Sequence, residues 1–486
     1  MSLQIFLQGK LLGIEEFLLS ASRELRPADP GAGLLAGRSR YTALLSEVLP
    51  RALLAELGLA RILLGTGGGG QFLVVLPLEA KPQAESFLSA AASEIDSLSG
   101  GAMKLVWAIT ENLGDWSVVR RRLSEEIQRK RGTPLAGAGL SAFEPSGDVK
   151  APEPRDDFPD SYWLDLLAAD RAGWSPDRPG AVIPSGGKYV WPLTSSLSQE
   201  GIMMARHTAL DDDRRSPSSL ATLAARAEGR RTWGVLRGDA DNFGVRLRRA
   251  QTIEEHLQLS VLYKQFFAGE LELLCSLPEF WQKVTILYSG GDDFAVLGAW
   301  DALIPLAREI QRLFHRFSEE NLKGFPGPEG KTISMALALA RDEEAALAQV
   351  FEEAGQKLEL AKCADRDCIH VLGRTLEWRQ LSAAAELRET MLRVAAEIGS
   401  PRTFLRELTA FYRRDGGGVS GPERSTPKPW KIYGRLNRAL GATKEKVPQK
   451  LRTHLTNEMV AKGAVQVKLR PAGRVALEWT RLLAEV

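Results

Sequence analysis

Three aspartates in the second half of this 486-residue chain have the types and spacing for phosphate chemistry. Asp239 ends an apolar run in Leu236-Arg237-Gly238-Asp239-Ala240-Asp241-Asn242, and Asp292 and Asp293 follow Gly290 and Gly291 between two further apolar runs. If the strand carrying Asp239 lies beside a hairpin with Asp292 and Asp293 at its tip, the carboxylates converge at one sheet edge. Carboxylates that close repel, and some stay protonated unless cations neutralise them. Mg2+ or Mn2+ suits such a site, because hard divalent ions take oxygen ligands and bridge a few carboxylates to substrate phosphates. Two such ions activate an attacking hydroxyl and stabilise a leaving pyrophosphate in an in-line displacement. Gly290 and Gly291 allow a tight turn and let backbone approach a triphosphate without a Cβ in the way. Asp241 is expected to support the turn instead of binding metal.

A Gly-Gly-Asp-Asp string alone is an ordinary turn. What raises it above that is the order of elements around it. Apolar periodicity predicts strand 232–236, helix 252–275, strand 283–287, a Gly-Gly hairpin, strand 294–297, helix 301–319, strand 332–339, helix 344–361 and strand 368–371. That is the ferredoxin-like order, an antiparallel sheet with helices on one face.

The first 131 residues read similarly: strand 2–7, helix 14–24, helix 38–57, apolar runs 61–64 and 72–76 around a glycine cluster, helix 83–98, strand 104–109 and a basic helix 116–131. Between 132 and 230, prolines and Ser/Gly clusters break the pattern, which predicts an irregular inserted module or linker without cysteines. Beyond Arg374 the chain is expected to be mostly helical to Leu483. The fold class is therefore α+β: two ferredoxin-like domains in tandem (1–131 and 231–375), an inserted module (132–230) and a C-terminal basic helical domain (376–486).

The two α/β halves repeat each other. Anchored on Phe72 and Phe294, Gly70-Gln71 lies where the second half has Asp292-Asp293, and Leu7-Gln8-Gly9-Lys10 matches Leu236-Arg237-Gly238-Asp239. Only the second half has acids at the three matching positions. A pseudo-dimer with one active and one degenerate half has this asymmetry.

Composition narrows the field. With 44% hydrophobic and 26% charged residues the chain is globular. Lys10, Glu15 and Glu16 interrupt any signal-peptide core, and no window nears the ~18 apolar residues of a membrane span. Cys275, Cys363 and Cys368 make no disulfide framework, so a reducing, cytoplasmic setting is expected. Cys363, Cys368 and His370 lack a fourth ligand, so packing and no zinc is expected there. Between Arg424 and Arg470 there are twelve Lys and Arg against two Glu, although the whole chain carries a net charge of +2. Such an imbalance suits a phosphate-rich neighbour, with Trp430 and Tyr433 available for stacking.

These residues resemble the large polymerase-like subunit of type III CRISPR effector complexes (Csm/Cmr type). The matching strings are Gly13–Phe17, Arg38–Tyr41, Gly67–Phe72, Gly234–Gly244, Tyr288–Phe294, and Leu360–Lys362 through Ile369–Arg374. The resemblance implies tandem palm domains that join ATP into cyclic oligoadenylates when a guide RNA pairs with target RNA. It implies that Asp292 and Asp293 are catalytic metal ligands, with Asp239 contributing from the neighbouring strand. Ser289, Gly290, Gly291 and Lys362 would contact nucleotide, and Gly67, Gly68, Gly69 and Gly70 would seat a second ATP between the halves. Guide RNA, target RNA, a small helical subunit and backbone subunits are the implied partners, with Lys428, Lys431, Arg435 and Arg438 as candidate contacts.

Two departures stand out. Family members often begin with a His-Asp nuclease domain, and the five histidines here include no His-Asp pair. DNA cleavage is therefore not expected, nor is the zinc module that many members carry between the palms. Two other expectations stay open: a diguanylate-cyclase-like enzyme, although the hairpin reads Asp-Asp-Phe where such enzymes have acid-Glu-Phe, and an idle palm within an RNA-binding scaffold.

Overall fold

Both halves fold around a strand that runs beside a hairpin. The computed structural model describes residues 3–22, 31–131, 159–196, 200–342, 345–398, 460–462, 467–469 and 471–485, with 449 and 453 as single positions. The first half comprises β1 (Gln4–Leu12), α1 (Ile14–Ser22), α2 (Gly31–Glu56), β2 (Leu64–Gly68), β3 (Gln71–Pro77), α3 (Lys81–Leu98), β4 (Lys104–Glu111) and α4 (Trp116–Arg131). After it come α5 (Asp160–Ala168), β5 (Arg171–Trp174), β6 (Ile183–Pro184), β7 (Tyr189–Thr194), β8 (Ile202–Met203) and α6 (Leu220–Ala225).

The second half begins with β9 (Trp233–Ala240), α7 (Phe243–Arg249), α8 (Ile253–Lys264), a π-helical turn (Gln265–Glu270) and α9 (Leu271–Cys275). It continues through β10 (Val284–Gly290), β11 (Asp293–Ala299), α10 (Trp300–Asn321), β12 (Ile333–Leu339), α11 (Leu347–Cys363), β13 (Cys368–Val371) and β14 (Arg374–Glu377). The chain ends in α12 (Trp378–Ile398), β15 (Val460–Lys462), β16 (Val467–Leu469) and a helix Pro471–Leu483.

The two principal sheets share one permutation. Their orders are β2-β3-β1-β4 and β10-β11-β9-β12-β13-β14, so hairpin, first strand and fourth strand succeed each other in both. This is the ferredoxin-like arrangement expected from the sequence, extended in the second half by β13, parallel to β12, and by β14.

The duplication holds at single-residue level. Lys10 faces Gln71 across β1 and β3, as Asp239 faces Asp293 across β9 and β11. The Leu11 N–H donates to the Gly70 carbonyl at 2.7 Å, and the Ala240 N–H to the Asp292 carbonyl at 2.8 Å. Register shifts fall at Gly65 and Leu287, which match in the alignment on Phe72 and Phe294. In both halves an aromatic ring dictates a glycine: a Cβ on Gly9 would lie 2.1 Å from the Phe72 ring, and one on Gly238 2.3 Å from that of Phe294.

The second sheet is covered on both faces, where the sequence suggested helices on one. Leu236, Val296 and Leu337 pack under α8 and α10. Val235, Leu297 and Ala338 alternate to the other face and are buried with Leu347, Val350 and Phe351 of α11. In α10 the buried Leu303, Leu306, Ile310, Phe314 and Phe317 recur every three or four residues, which fixes the face it turns inward.

Local geometry departs from expectation in short elements. The expected helix 252–275 widens into a π turn whose Phe266, Phe267, Ala268 and Gly269 are all buried. The Pro/Gly-rich stretch contributes a sheet of order β6-β5-β7-β8, with strands too short for periodicity to reveal. It is tied to α3 by Glu94, which accepts from Arg178 Nε at 2.5 Å and from the Gly180 N–H at 2.6 Å. A further strand pair, β15 with β16, lies in the region expected to be helical. Lys428, Lys431, Arg435 and Arg438 lie outside the described residues. Among the described residues no helix is long and apolar enough to cross a membrane.

The halves join reciprocally, α2 packing on β10 and α8 on β2. At this junction Glu47 is buried, accepts from Arg51 at 2.5 Å, and pairs with Lys264, which reaches over from α8.

Candidate active site

β9 and β11 bring Asp239 and Asp293 together because cross-strand partners project to the same face. Asp239 pairs with Lys362 Nζ at 3.1 Å, presented by the last turn of α11. Asp293 accepts from the Tyr288 hydroxyl at 3.2 Å. Behind it, Arg237 approaches Tyr288 Oη at 3.4 Å and Glu15 at 3.2 Å, and its guanidinium sits 4.4 Å from the Phe351 ring centre. Glu15 lies on α1, so this polar chain connects the first half to the acid of the second.

Asp292 stands beside this pair, at the turn. Its charge acts on Tyr263, within the core of α8 and α10, whereas Asp293 turns toward Tyr288. Among the described residues no three His, Cys, Asp or Glu are grouped closely enough to hold a metal ion. Asp239 and Asp293 face each other across the strand pair, and Asp292, in the turn, stands close enough for both charges to act on it.

The electrostatics are those of crowded acids. Burial first, then Asp293 and Asp239, pushes Asp292 up to about 8. Burial, then Asp239, pushes Asp293 up to about 6, although Tyr288, Arg237 and Lys362 oppose the shift. Asp239 is raised by burial despite Lys362. A divalent cation would relieve this cost, and the donors fit magnesium, which settles for one or two carboxylates and completes its shell with water and phosphate.

The sign of the Asp292 effect gives a test. Its folded pKa exceeds that of the unfolded chain, so its stabilising contribution is complete below about pH 4 and is lost as pH rises through about 8. Asp292→Asn is expected to raise the thermal midpoint by roughly 2 °C at pH 8 in EDTA and to leave it unchanged at pH 4. Scanning fluorimetry at the two pH values checks this.

The remaining site residues sort clearly. Ser289 donates to the Phe267 carbonyl of the π turn at 2.5 Å, which anchors the hairpin. Gly290 and Gly291 abut Gly69 of the first half: a Cβ on Gly69 would lie 3.1 Å from Gly291 N, and one on Gly290 3.1 Å from Gly69 Cα. Gly68, Gly69, Gly70 and Gly291 all have positive φ, a second reason for glycine. Gly67 packs against α2, with Ser46 O and Glu47 about its position. Asp241 accepts from Thr332 Oγ1 at 2.8 Å, Ser334 Oγ at 2.7 Å and the Asp367 N–H at 3.1 Å, the supporting role expected of it.

Two cavities flank the glycine contact. One, of about 240 Å³, lies between α1–α2 and the Asp293 face and is lined by Ser39, Thr42, Gly69, Arg237, Ser289 and Asp293. The other, of about 770 Å³, lies on the opposite side and is lined by Lys10, Gln71, Trp116, His256, Lys264 and Gly291. Sequence reasoning missed Arg237, Tyr288 and the Glu47–Lys264 pair. The signal available was a charged or hydroxylated residue inside an otherwise apolar run.

Residues 232–370 match the family described as Cas10/Cmr2, second palm domain. Among curated proteins the chain is 24% identical over 178 residues to the CRISPR system single-strand-specific deoxyribonuclease Cas10/Csm1 (subtype III-A) of Thermococcus onnurineus, covering 34% of this chain and 22% of that protein. It is 27% identical over 205 residues to the protein of the same description from Enterococcus italicus, covering 40% and 25%. The aligned stretch thus spans about a quarter of these relatives' length. Among solved structures, the Csm1-Csm4 cassette in complex with cA4 aligns with a TM-score of 0.70 at 16% identity, covering 99% of this chain and 70% of that one. The cassette in complex with AMPPNP gives a TM-score of 0.63 at 15% identity, with 99% and 70% covered. At such identities the likeness is one of fold.

Proposed function

We propose that this chain, which belongs to the Cas10/Cmr2 family of type III CRISPR large subunits, joins ATP into cyclic oligoadenylates at the junction of its two palms. Guide-RNA pairing with target RNA, within a complex of small helical and backbone subunits, is the trigger in this proposal. The observation that carries it is the Asp239–Asp293 pair, set at a hairpin whose glycines meet the glycine turn of the other palm between two cavities. Support comes from structures of similar fold solved in complex with cA3, cA4, pppApA and pppApApA.

Asp239 and Asp293, with Asp292 beside them, would hold Mg2+ or Mn2+, which when bound would lower the pKa of an attacking hydroxyl and neutralise the leaving pyrophosphate. Tyr288 and Arg237 fix the orientation of the Asp293 carboxylate from behind. Lys362, held at Asp239, would turn to triphosphate oxygens as a mobile point charge. Glycines at 69, 290 and 291 keep the palms in van der Waals contact, so that two nucleotides seated on either side face each other across backbone alone. Proximity of that kind supplies much of the acceleration in a reaction with little covalent chemistry for the protein to do.

The test is the chain assembled in its effector complex, incubated with target RNA, magnesium or manganese, and labelled ATP or GTP. Cyclic oligoadenylates dependent on target RNA are the expected product. Cyclic di-GMP made by the chain alone would instead establish a diguanylate-cyclase activity, and no nucleotide product under either condition would leave an RNA-binding scaffold.

A further inference from the structure

The inserted module borders a cavity that the proposed chemistry leaves unused. About 320 Å³ in volume, it lies between β7 and the C-terminal end of α2, and none of its lining residues lines the two cavities at the palm junction. Its wall has three cationic side chains, Arg51, Arg61 and Lys188, two large rings, Tyr189 and Trp191, and no acid.

The rings belong to a ladder. Pairing of β7 with β5 sets Tyr189 opposite Trp174. Successive ring centres along Phe87, Trp174, Tyr189 and Trp191 lie 5.2, 6.2 and 6.3 Å apart. The planes of Trp174 and Tyr189 differ by 15°. Buried Trp174 anchors the inner end, whereas Tyr189 and Trp191 stay half-buried at the cavity. Strand alternation puts those two outer rings on one face.

Positive charge is in surplus beside them. Arg51 and Lys264 share the single carboxylate of Glu47, and Lys188 pairs with Glu56 at 2.6 Å. Burial, then the charge of Arg51, draws Arg61 below its ordinary value, although Glu47 and Glu200 oppose the shift. Two guanidiniums are thus held near each other, and Arg51 Nε is buried without a hydrogen-bond partner among the described residues. Guanidiniums bind phosphate through two N–H groups at once.

Resting on the proposed control by RNA, we infer that this cavity seats one nucleotide of a single-stranded RNA, its base against Trp191 and Tyr189 and its phosphate at Arg51 and Arg61. The volume suits one base. Every base has a face to stack, so the seat responds to strandedness and not to sequence. In a duplex the bases stay stacked on their neighbours, and the seat stays empty. An acidic peptide would satisfy the guanidiniums and leave the ring ladder unused, which favours the nucleotide. Arg51 also holds Glu47, so a strand seated here is one ion pair away from the joint between the palms.

Photocrosslinking of the full chain to a single-stranded RNA of about eight nucleotides carrying thiouridine tests the inference. The expected crosslink maps to the peptide of Tyr189 and Trp191, and its half-saturation reports occupancy of the seat. Trp191→Ala should weaken that half-saturation at least about fivefold, as loss of a stacked base does, and Trp191→Phe should retain it. Arg61→Gln should lower the slope of log affinity against log salt by about 0.7, the share of one single-strand phosphate. Thermal midpoints confirm that each variant is folded. Crosslinks confined to other segments, or a crosslink here indifferent to Trp191→Ala and Arg61→Gln, would overturn the inference and leave the proposed function standing. So would equal competition by duplex RNA, by AMP, which would make a free nucleotide the ligand, or by polyglutamate, which would make it an acidic protein. RNA seated here in a complex that forms no cyclic oligoadenylate would sustain the inference and overturn the proposed function.

Discussion

Replacing Asp292 and Asp293 together by alanine is expected to cut cyclic oligoadenylate output by at least about 10³-fold, with the chain still folded and its midpoint no lower than that of the parent. Burial strains both acids, with Asp293 and Asp239 helping to push Asp292 up to about 8 and Asp239 helping to push Asp293 to about 6, so their removal relieves repulsion instead of breaking contacts. Among the described residues the one side-chain hydrogen bond at stake is Tyr288 to Asp293. Loss of activity without loss of stability is therefore the signature of groups held for chemistry. The measurement is product formed per complex from labelled ATP under saturating target RNA, alongside a melting curve. Retained output in a folded double variant would place the chemistry elsewhere in the chain.

The second large effect concerns the joint between the palms. Lys264→Met is expected to lower the thermal midpoint by several degrees, corresponding to about 3 kcal/mol, because it strands the Glu47 carboxylate in a buried setting with Arg51 as its remaining ionic partner among the described residues. Burial alone would raise Glu47, yet Lys264 and Arg51 bring it down to about 2. Burial, with Arg51 also unfavourable, draws Lys264 below its ordinary value while Glu47 opposes the shift. With the ammonium in direct contact and Glu47 so low, the pair is ionised at neutral pH.

Because Glu47 is lowered, its contribution is complete above about pH 4.5 and is lost as pH falls through about 2. The gap between the parent and Lys264→Met should narrow across that interval. Adding Glu47→Gln to Lys264→Met should recover at least half of the loss, since no unmatched carboxylate remains. Failure of that recovery would show that the lysine contributes through packing of its stem and its contact with the Gly67 carbonyl at 3.2 Å.

Much of this arrangement was legible in the chain. Gly9 and Gly238, each followed by the residue that matters, with Phe72 and Phe294 as anchors, disclosed the duplication because ring and glycine must face each other across a strand pair. The π turn, the strands β5 to β8 and the pair β15–β16 were not legible, since two to six residues carry too little periodicity to distinguish strand from loop.

The acids tell the same story at finer scale. Sequence alone determined that Asp239, Asp292 and Asp293 belong to one sheet edge, because ferredoxin-like order makes the first strand the neighbour of the hairpin. It also determined which palm has the acids and which has Lys10. Only the tertiary structure decided that Asp293 faces Asp239 while Asp292 stands beside them in the turn, and that Glu15, Arg237 and Tyr288 support the pair from behind. It alone showed that the glycines serve first to let two backbones touch. The physical reason is that strand order follows from local patterning, whereas side-chain pairing between palms depends on how two separately patterned sheets dock, and no periodicity within either one encodes that.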